Sequence, residues 1–471
     1  MRRRGIRFSI AFLTLVTLSC ALGARVDAQS VWERTPYRTA IILIVADNTD
    51  LPAQTDMKLC DELQLQIDAH IGGAWMSSFE TPSLEMREIL LGGEDRISVE
   101  ILPPEWMAEY DKLLWIVIEG GSPCYSIRAG DFDIQTQVSS PSINGRASHP
   151  GTLAIQAFRT LCLAFTPLAR VEEVEGDQVG LRLRAASLIP ENAPLRDVVP
   201  GSMFQPIVRY EDREGAVRRI DQLDWTVLQV ETTKDAQLEC VLYTGMRSPL
   251  SARRRGRSQQ LALMMVPPER PSEITLHGFR DPFPVLPGYE VYALPPGETK
   301  ATLLGRTDEQ GRISVPFDPE APLRILLVKN GTRYLARLPL VPGYETALRA
   351  PIANDDERLA AESRLMGLQE EVIDLVTERE VLSRRVEAMV EARREEEATK
   401  AYIQLRSLKS RDALLLELSQ ERRLAITEDD LSQRRIDAMF EETRQLVVER
   451  LNPSDIENLG AALSDAFPSG P

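Results

Sequence analysis

Residues 303–315 read LLGRTDEQGRISV, an acidic, glycine-bearing knot between two apolar runs. Whether it is a site or a turn decides how the segment around it folds. As a calcium loop it fails, because Asp308 and Glu309 lack the spaced oxygen ligands that this cation needs. As a turn it succeeds, because Gly311 stands where a hairpin between ATLLG and RISVP requires a positive φ. The stretch therefore predicts a β module. The runs EITLHGF, GYEVYAL, ATLLGRT, RISVPF and LRILLVKNGTRYLARL extend it over 271–352, with Asn330 and Gly331 as a second hairpin signal.

Outward from this module the period changes twice. Toward the amino terminus, 168–270 holds short strands punctuated by turns: Gly176 and Asp177 in ARVEEVEGDQVGLRLRA, Pro200 and Gly201 before SMFQPIVRY, and the hairpin WTVLQVETTKDAQLECVLYTG. Such spacing predicts a small β-barrel. Pro267, Pro268 and Pro271 read as the linker that follows it. Earlier still, RTAIILIVA is a β-branched run of strand length and TDMKLCDELQLQIDAHI repeats apolar residues at helical spacing, so 29–167 reads as a small mixed α/β domain. Thr81 and Pro82 predict a second helix start there, RISVEIL, KLLWIVIE, CYSIRAG and DFDIQTQV supply strands, and LAIQAFRTLCLAF closes with a helix.

Beyond Pro351 no proline occurs until Pro453, and Gly367 is the sole glycine between 352 and 452. Leu365, Leu368, Val372, Leu375, Leu382, Val386 and Met389 recur at steps of three and four, interrupted by Arg379, which predicts the seam of a helical hairpin or coiled coil over 353–471. Ser410 reads as a cap for a helix from Arg411, Thr427 with Asp430 as a capping box, and Ser454 with Glu457 as another. An unbroken first helix from 356 to 396 would be roughly 60 Å long. The seam needs cover, either from this chain's own helices or from a second chain or foreign partner, because exposed leucine and valine are costly.

The whole is a multidomain α+β chain, and its ends and charge point to a compartment. Residues 1–28 carry Arg2, Arg3, Arg4 and Arg7 before an apolar run and small residues, the pattern of a signal peptide, so export to the periplasm or cell envelope is expected. Cys20 leaves lipid anchoring open. Net charge is −16, and loss of five arginines with Asp27 on cleavage after Ala28 would make it −20, which argues against nucleic acid as a partner. No later stretch has the roughly 18 apolar residues of a membrane helix. Cys60 and Cys162 fall on helices of one domain, so a bridge and two free thiols both stand open.

Chemistry is sparse. His70, His149 and His277 fall in three separate elements and no metal-ligand spacing is visible, so no metal or cofactor is expected. The run Asp47, Asn48, Thr49, Asp50 lacks the glycine and distal glutamate of an EF-hand and reads as a strand-exit turn, and the carboxylates of Asp131 and Asp133 share one strand face as solvated groups. Catalysis is not expected. Two features remain: the helical seam, as a surface for a protein partner or self-association, and Arg253, Arg254, Arg255 and Arg257, as a patch for an anionic envelope ligand. Trp75, Trp106 and Trp115 are the aromatics that a polysaccharide- or peptidoglycan-binding alternative would use.

Three resemblances accompany this reading. The layout of the α/β domain resembles the amino-terminal domain of the Tol-Pal translocation protein and the middle domain of flagellar assembly protein T. The series of turns in 168–270, with PG before a strand, looks like the barrel that follows such a domain in the flagellar assembly protein T family. Gly305, Thr307, Asp308, Gly311, Asn330 and Gly331 resemble the transthyretin-like regulatory β-sandwich of carboxypeptidases. These resemblances imply an exported scaffold or interaction protein and supply no catalytic residue.

Overall fold

A computed structural model describes residues 31–467 except 53–54, 94–96, 246–248, 251–257, 280–281, 332, 353–355 and 427–429. The expected signal peptide over 1–28 with Cys20, the expected cap at Thr427 and the arginines from Arg253 to Arg257 lie outside the described residues. By contact the chain forms two compact units. One holds the chain up to Leu276 with Pro287–Lys329 and Tyr334–Ala350, and the other holds His277–Leu286, Asn330–Arg333 and Pro351–Pro471.

The first unit begins with β1 (Tyr37–Val45), α1 (Thr55–His70), β2 (Trp75–Phe79), α2 (Leu84–Leu91), α3 (Pro104–Glu109), β3 (Lys112–Gly121), β4 (Cys124–Asp133), β5 (Val138–Ser139), β6 (Ile143–Ala147) and α4 (Leu153–Ala164). The sheet order is β2-β1-β3-β4-β5 with β6 also on β4, and only the β1 pairings are parallel, a mixed α/β layer as expected. Successive residues of β1 and β3 face opposite sides. Ile41, Leu114 and Ile116 pack under α1 and α4, while Ile42, Leu113, Trp115 and Val117 pack with Met86, Leu90 and Trp106.

Three local expectations are corrected here. Ser83, not Thr81, caps α2 by accepting from Met86 N at 3.2 Å. The run RISVEIL makes no strand, since Ser98 Oγ accepts from Glu100 N and folds Val99–Ile101 into a 3-10 turn. CYSIRAG and DFDIQTQV are largely one strand, because every residue of Cys124–Asp133 finds a partner on β3.

The barrel follows as β7 (Leu168–Glu175), β8 (Gln178–Leu183), β9 (Met203–Glu211), β10 (Val217–Gln222), β11 (Thr226–Lys234), β12 (Gln237–Thr244) and β13 (Ser258–Met265). Six strands run β9-β11-β12-β8-β7-β13 and β13 returns to β9, so the ring is closed and has no free edge. Pro206 is tolerated inside β9 because its neighbour on one side changes there from β11, paired at Phe204, to β10, paired at Ile207. The core of the α/β layer extends to Ile207, Leu261 and Leu263 of the barrel, which also has a core cluster of its own around Phe204, Leu228 and Leu238.

The next strands are β14 (Ser272–Gly278), β15 (Glu290–Leu294), β16 (Thr302–Arg306), β17 (Arg312–Val315), β18 (Arg324–Asn330), β19 (Arg333–Leu340) and β20 (Ala347–Ile352). They form two sheets, β17-β14-β20 and β16-β15-β18-β19. The stretch LLGRTDEQGRISV does turn: Asp308 Oδ1 accepts from Gln310 N and Arg312 N, and Gly311 has φ +70°. It is nevertheless not a hairpin, because β16 pairs with β15 and β17 with β14, so the chain crosses from one sheet to the other. The Asn330-Gly331 hairpin is present with only Gly331 at positive φ, +61°. The supposed proline linker is packed: Gly343, at φ +86°, lies so close that a Cβ would sit 2.2 Å from Pro268 O.

In the second unit the helices are α5 (Asp356–Glu391), α6 (Glu395–Ser407), α7 (Arg411–Leu424), α8 (Asp430–Arg450) and α9 (Pro453–Ala466). The first helix stops five residues early, where Arg393 takes φ +54° and α6 folds back on α5, so its length is about 54 Å. Ser410 caps α7 as expected, accepting from Ala413 N at 3.2 Å. The cap of α9 is Asn452, not Ser454, because Pro453 occupies the first helical position, where its missing N–H is no loss.

Candidate functional site

Five of the seven seam residues of α5 are buried. Leu365 and Leu368 pack with Leu418 of α7 and with Ile436 and Phe440 of α8. Val372 and Leu375 pack with Leu414, Val447 and Leu451. Val386 is fully buried, while Leu382 and Met389 are half-buried. The chain's own helices thus cover Leu365, Leu368, Val372 and Leu375, and pairing with a second chain through these four would first require the removal of those helices.

Arg379 breaks the row, and a groove opens there. Its guanidinium is half-buried and donates through Nη2 to Lys409 O at 3.0 Å, while its Nε is buried with no acceptor. Burial pushes its pKa below the usual arginine value, with Asp455 opposing the shift. The groove encloses about 690 Å³ among Arg379, Tyr402, Arg406, Arg411, Leu451 and Ile456. Arg411 Nε is likewise buried without a hydrogen bond, its nearest acid being Asp412 at 3.6 Å. Arg379 also borders a smaller cavity of about 310 Å³ with Arg450 and Asp455.

One wall of the groove is α9, which has no fully buried side chain. Tyr402 Oη donates to Ile456 O at 3.4 Å, and a Cβ at Gly460 would sit 2.2 Å from that hydroxyl, so this helix approaches closely only because residue 460 is glycine. Lys409 cannot serve the groove in the same way, since its ammonium is engaged by Glu371 at 2.7 Å and by Glu417. A pair of incompletely bonded guanidinium groups beside leucine and isoleucine is suited to carboxylates on an apolar backing.

Elsewhere the candidate charges are paired within the fold, although Asp131 Oδ1 is buried without a hydrogen-bond partner. Lys112 Nζ lies 2.8 Å from Asp131 and 3.0 Å from Asp133, all three fully buried, so these carboxylates are not solvated as expected. The pairing follows from register, since Lys112 stands opposite Asp133 and Leu114 opposite Asp131. Asp131 Oδ2 also accepts from Thr166 N and Oγ1, at 2.8 and 2.6 Å, and Asp133 Oδ1 from Thr136. Burial opposes the Lys112 charge, but the two carboxylates overcome it and raise its pKa. Burial raises the Asp131 carboxyl, and like-charge repulsion from Asp133 adds to this, while the Lys112 ammonium opposes it.

The remaining expectations resolve simply. His149 Nδ1 accepts from Gly151 N, His70 stacks on Phe158, and His277 Nδ1 lies 2.8 Å from Gly278 O. Asp50 is a turn residue, accepting from Ser122 N and from Tyr125 Oη at 2.6 Å. Trp75, Trp106 and Trp115 are all core residues. Cys60 and Cys162 are both free, their thiols pushed by burial to about 11 and about 12. Among the described residues no cluster of three or more His, Cys, Asp or Glu side chains could hold a metal, and no helix is long and apolar enough to cross a membrane.

No family model matches the chain, and no curated protein matches it. Among solved structures it is similar to TolB from Acinetobacter baumannii at 10% identity and a TM-score of 0.17, over 66% of this chain and 84% of that one. It is similar to the Bacillus anthracis TIE protein at 10% identity and a TM-score of 0.13, over 44% of this chain and 46% of that one. Scores this low carry no argument about the function of this chain.

Proposed function

We propose that this protein is an exported, non-catalytic scaffold of the cell envelope that holds an acidic segment of a protein partner in the groove at Arg379. The carrying observation is the buried Nε of Arg379, which has no acceptor in a chain of net charge −16. Leaving a buried donor unpaired costs about 1–3 kcal/mol, which a partner carboxylate would recover once docking turns the guanidinium toward the groove. Export rests on the arginine-led apolar leader at 1–28. A transthyretin-like assignment of 271–352 is supported by its three- and four-stranded sheets joined through the Asp308 turn. The barrel after a mixed α/β layer supports the likeness to flagellar assembly protein T.

The test is co-purification from envelope extracts at low and high salt, with wild type beside Arg379→Gln/Arg411→Gln. A partner retained at low salt, released at high salt and lost in the double variant is expected. Equal recovery by both forms would dismiss the groove. A second reading, glycan binding, is favoured by Tyr334, which is exposed and meets Tyr292 edge-on at 6.3 Å on the four-stranded sheet. A glycan array with no signal removes it.

A further inference from the structure

In the unit that holds the α/β layer and the barrel, a second arginine stands out by its lack of bonds. Arg196 is half-buried, its Nε is out of contact with solvent, and it makes no hydrogen bond or ion pair among the described residues. It borders a cavity of about 260 Å³. Burial pushes its pKa down, so the site holds the charge at a cost. Its neighbour in the cavity wall, Arg184, is fully engaged: Nη2 donates to Pro36 O at 2.7 Å and to Asp111 Oδ2 at 2.6 Å, and the guanidinium lies 4.8 Å from the Tyr37 ring. The acids that border the cavity, Glu191, Asp197 and Asp235, are exposed, and none pairs with Arg196.

The rest of the wall is apolar, with Phe165, Pro167, Leu183, Ile189, Leu195 and Val198. We infer that this cavity binds a small organic monocarboxylate, its carboxylate on the Arg196 fork and its hydrocarbon body against those side chains. A guanidinium matches a carboxylate with two parallel hydrogen bonds, whereas a bare phosphate would leave the apolar wall against a highly hydrated ion. The space equals roughly nine waters at about 30 Å³ each, so the body is short, on the order of six carbons. The inference is independent of the groove at Arg379, which lies in the other unit.

Calorimetric titration of the full chain with hexanoate, hexanamide and inorganic phosphate tests it. Hexanoate should saturate with a Kd of about 1 mM or below. Hexanamide and phosphate should bind at least about tenfold more weakly, because one lacks the charge and the other the body. Arg196→Gln should lose hexanoate by at least about tenfold while melting no lower than wild type, since it removes an unpaired buried charge. Arg196→Lys, which keeps the charge without the fork, should fall between them. No saturation by hexanoate, equal binding of hexanamide or of phosphate, or unchanged binding in Arg196→Gln would each overturn the site. The comparison among ligands on wild type stands even where the glutamine variant fails to fold.

Discussion

The chain buries charge in two ways, and the contrast separates structure from function. At Lys112 an ammonium and two carboxylates sit out of contact with solvent where β3 begins and β4 ends, and register brings them together. At Arg379 and Arg411 the guanidinium groups border open space and keep a buried donor each without an acceptor. The first cluster is sealed inside the fold, its charges paired though Asp131 Oδ1 lacks a hydrogen-bond partner, and removal of a member should damage the fold. The second is incomplete, and its removal should damage binding while the fold stands.

The largest expected effect is therefore Lys112→Met. It strands two buried carboxylates and should cost about 3–5 kcal/mol in chemical denaturation, enough to unfold a marginal domain. Next comes Leu375→Asp, which places a charge among Leu414, Val447 and Leu451; helical signal should fall in circular dichroism while mass in light scattering stays the same. A drop in mass instead would mean that the seam joins two chains. Gly130→Ala should cost about 1–3 kcal/mol, because a Cβ there would lie 2.4 Å from the Trp115 ring.

The pH dependence is smaller and has a definite sign. A raised carboxyl holds its proton more tightly in the folded chain, so from the ordinary carboxylate pKa near 4 up to the raised value, Asp131 makes the fold less stable as pH climbs. Asp131→Asn should flatten that part of the stability profile, and an unchanged slope would remove Asp131 as its source. Smallest in stability is Arg379→Gln, which should melt at or above wild type. Were it to melt far below, Arg379 would belong with Lys112 and the contrast would collapse.

What was readable in sequence followed distance along the chain. The cap at Ser410, the turns at Gly176 and Gly201 and the seam of α5 depend on residues a few positions apart, and each was found where spacing placed it. Closure of the barrel depends on β13 meeting β9 across about fifty residues, and no local pattern carries that pairing. The turn at Asp308 was legible, but the change of sheet was not, because its partners lie on β14 and β15. Of the groove only Arg379 left a mark, as a charge in an apolar row. Tyr402, Arg406 and Arg411 gave none, since exposed-looking residues on separate helices meet there only after the arm folds.

The core shared by the α/β layer and the barrel also sets an order in time. The helices and strands before residue 167 leave the ribosome first, yet Leu261 and Leu263, which complete their packing, emerge almost a hundred residues later. At synthesis rates of about 5–20 residues per second that is a wait of roughly 5–20 s. During it the first layer is a half-closed surface, its apolar residues waiting for the strand that covers them.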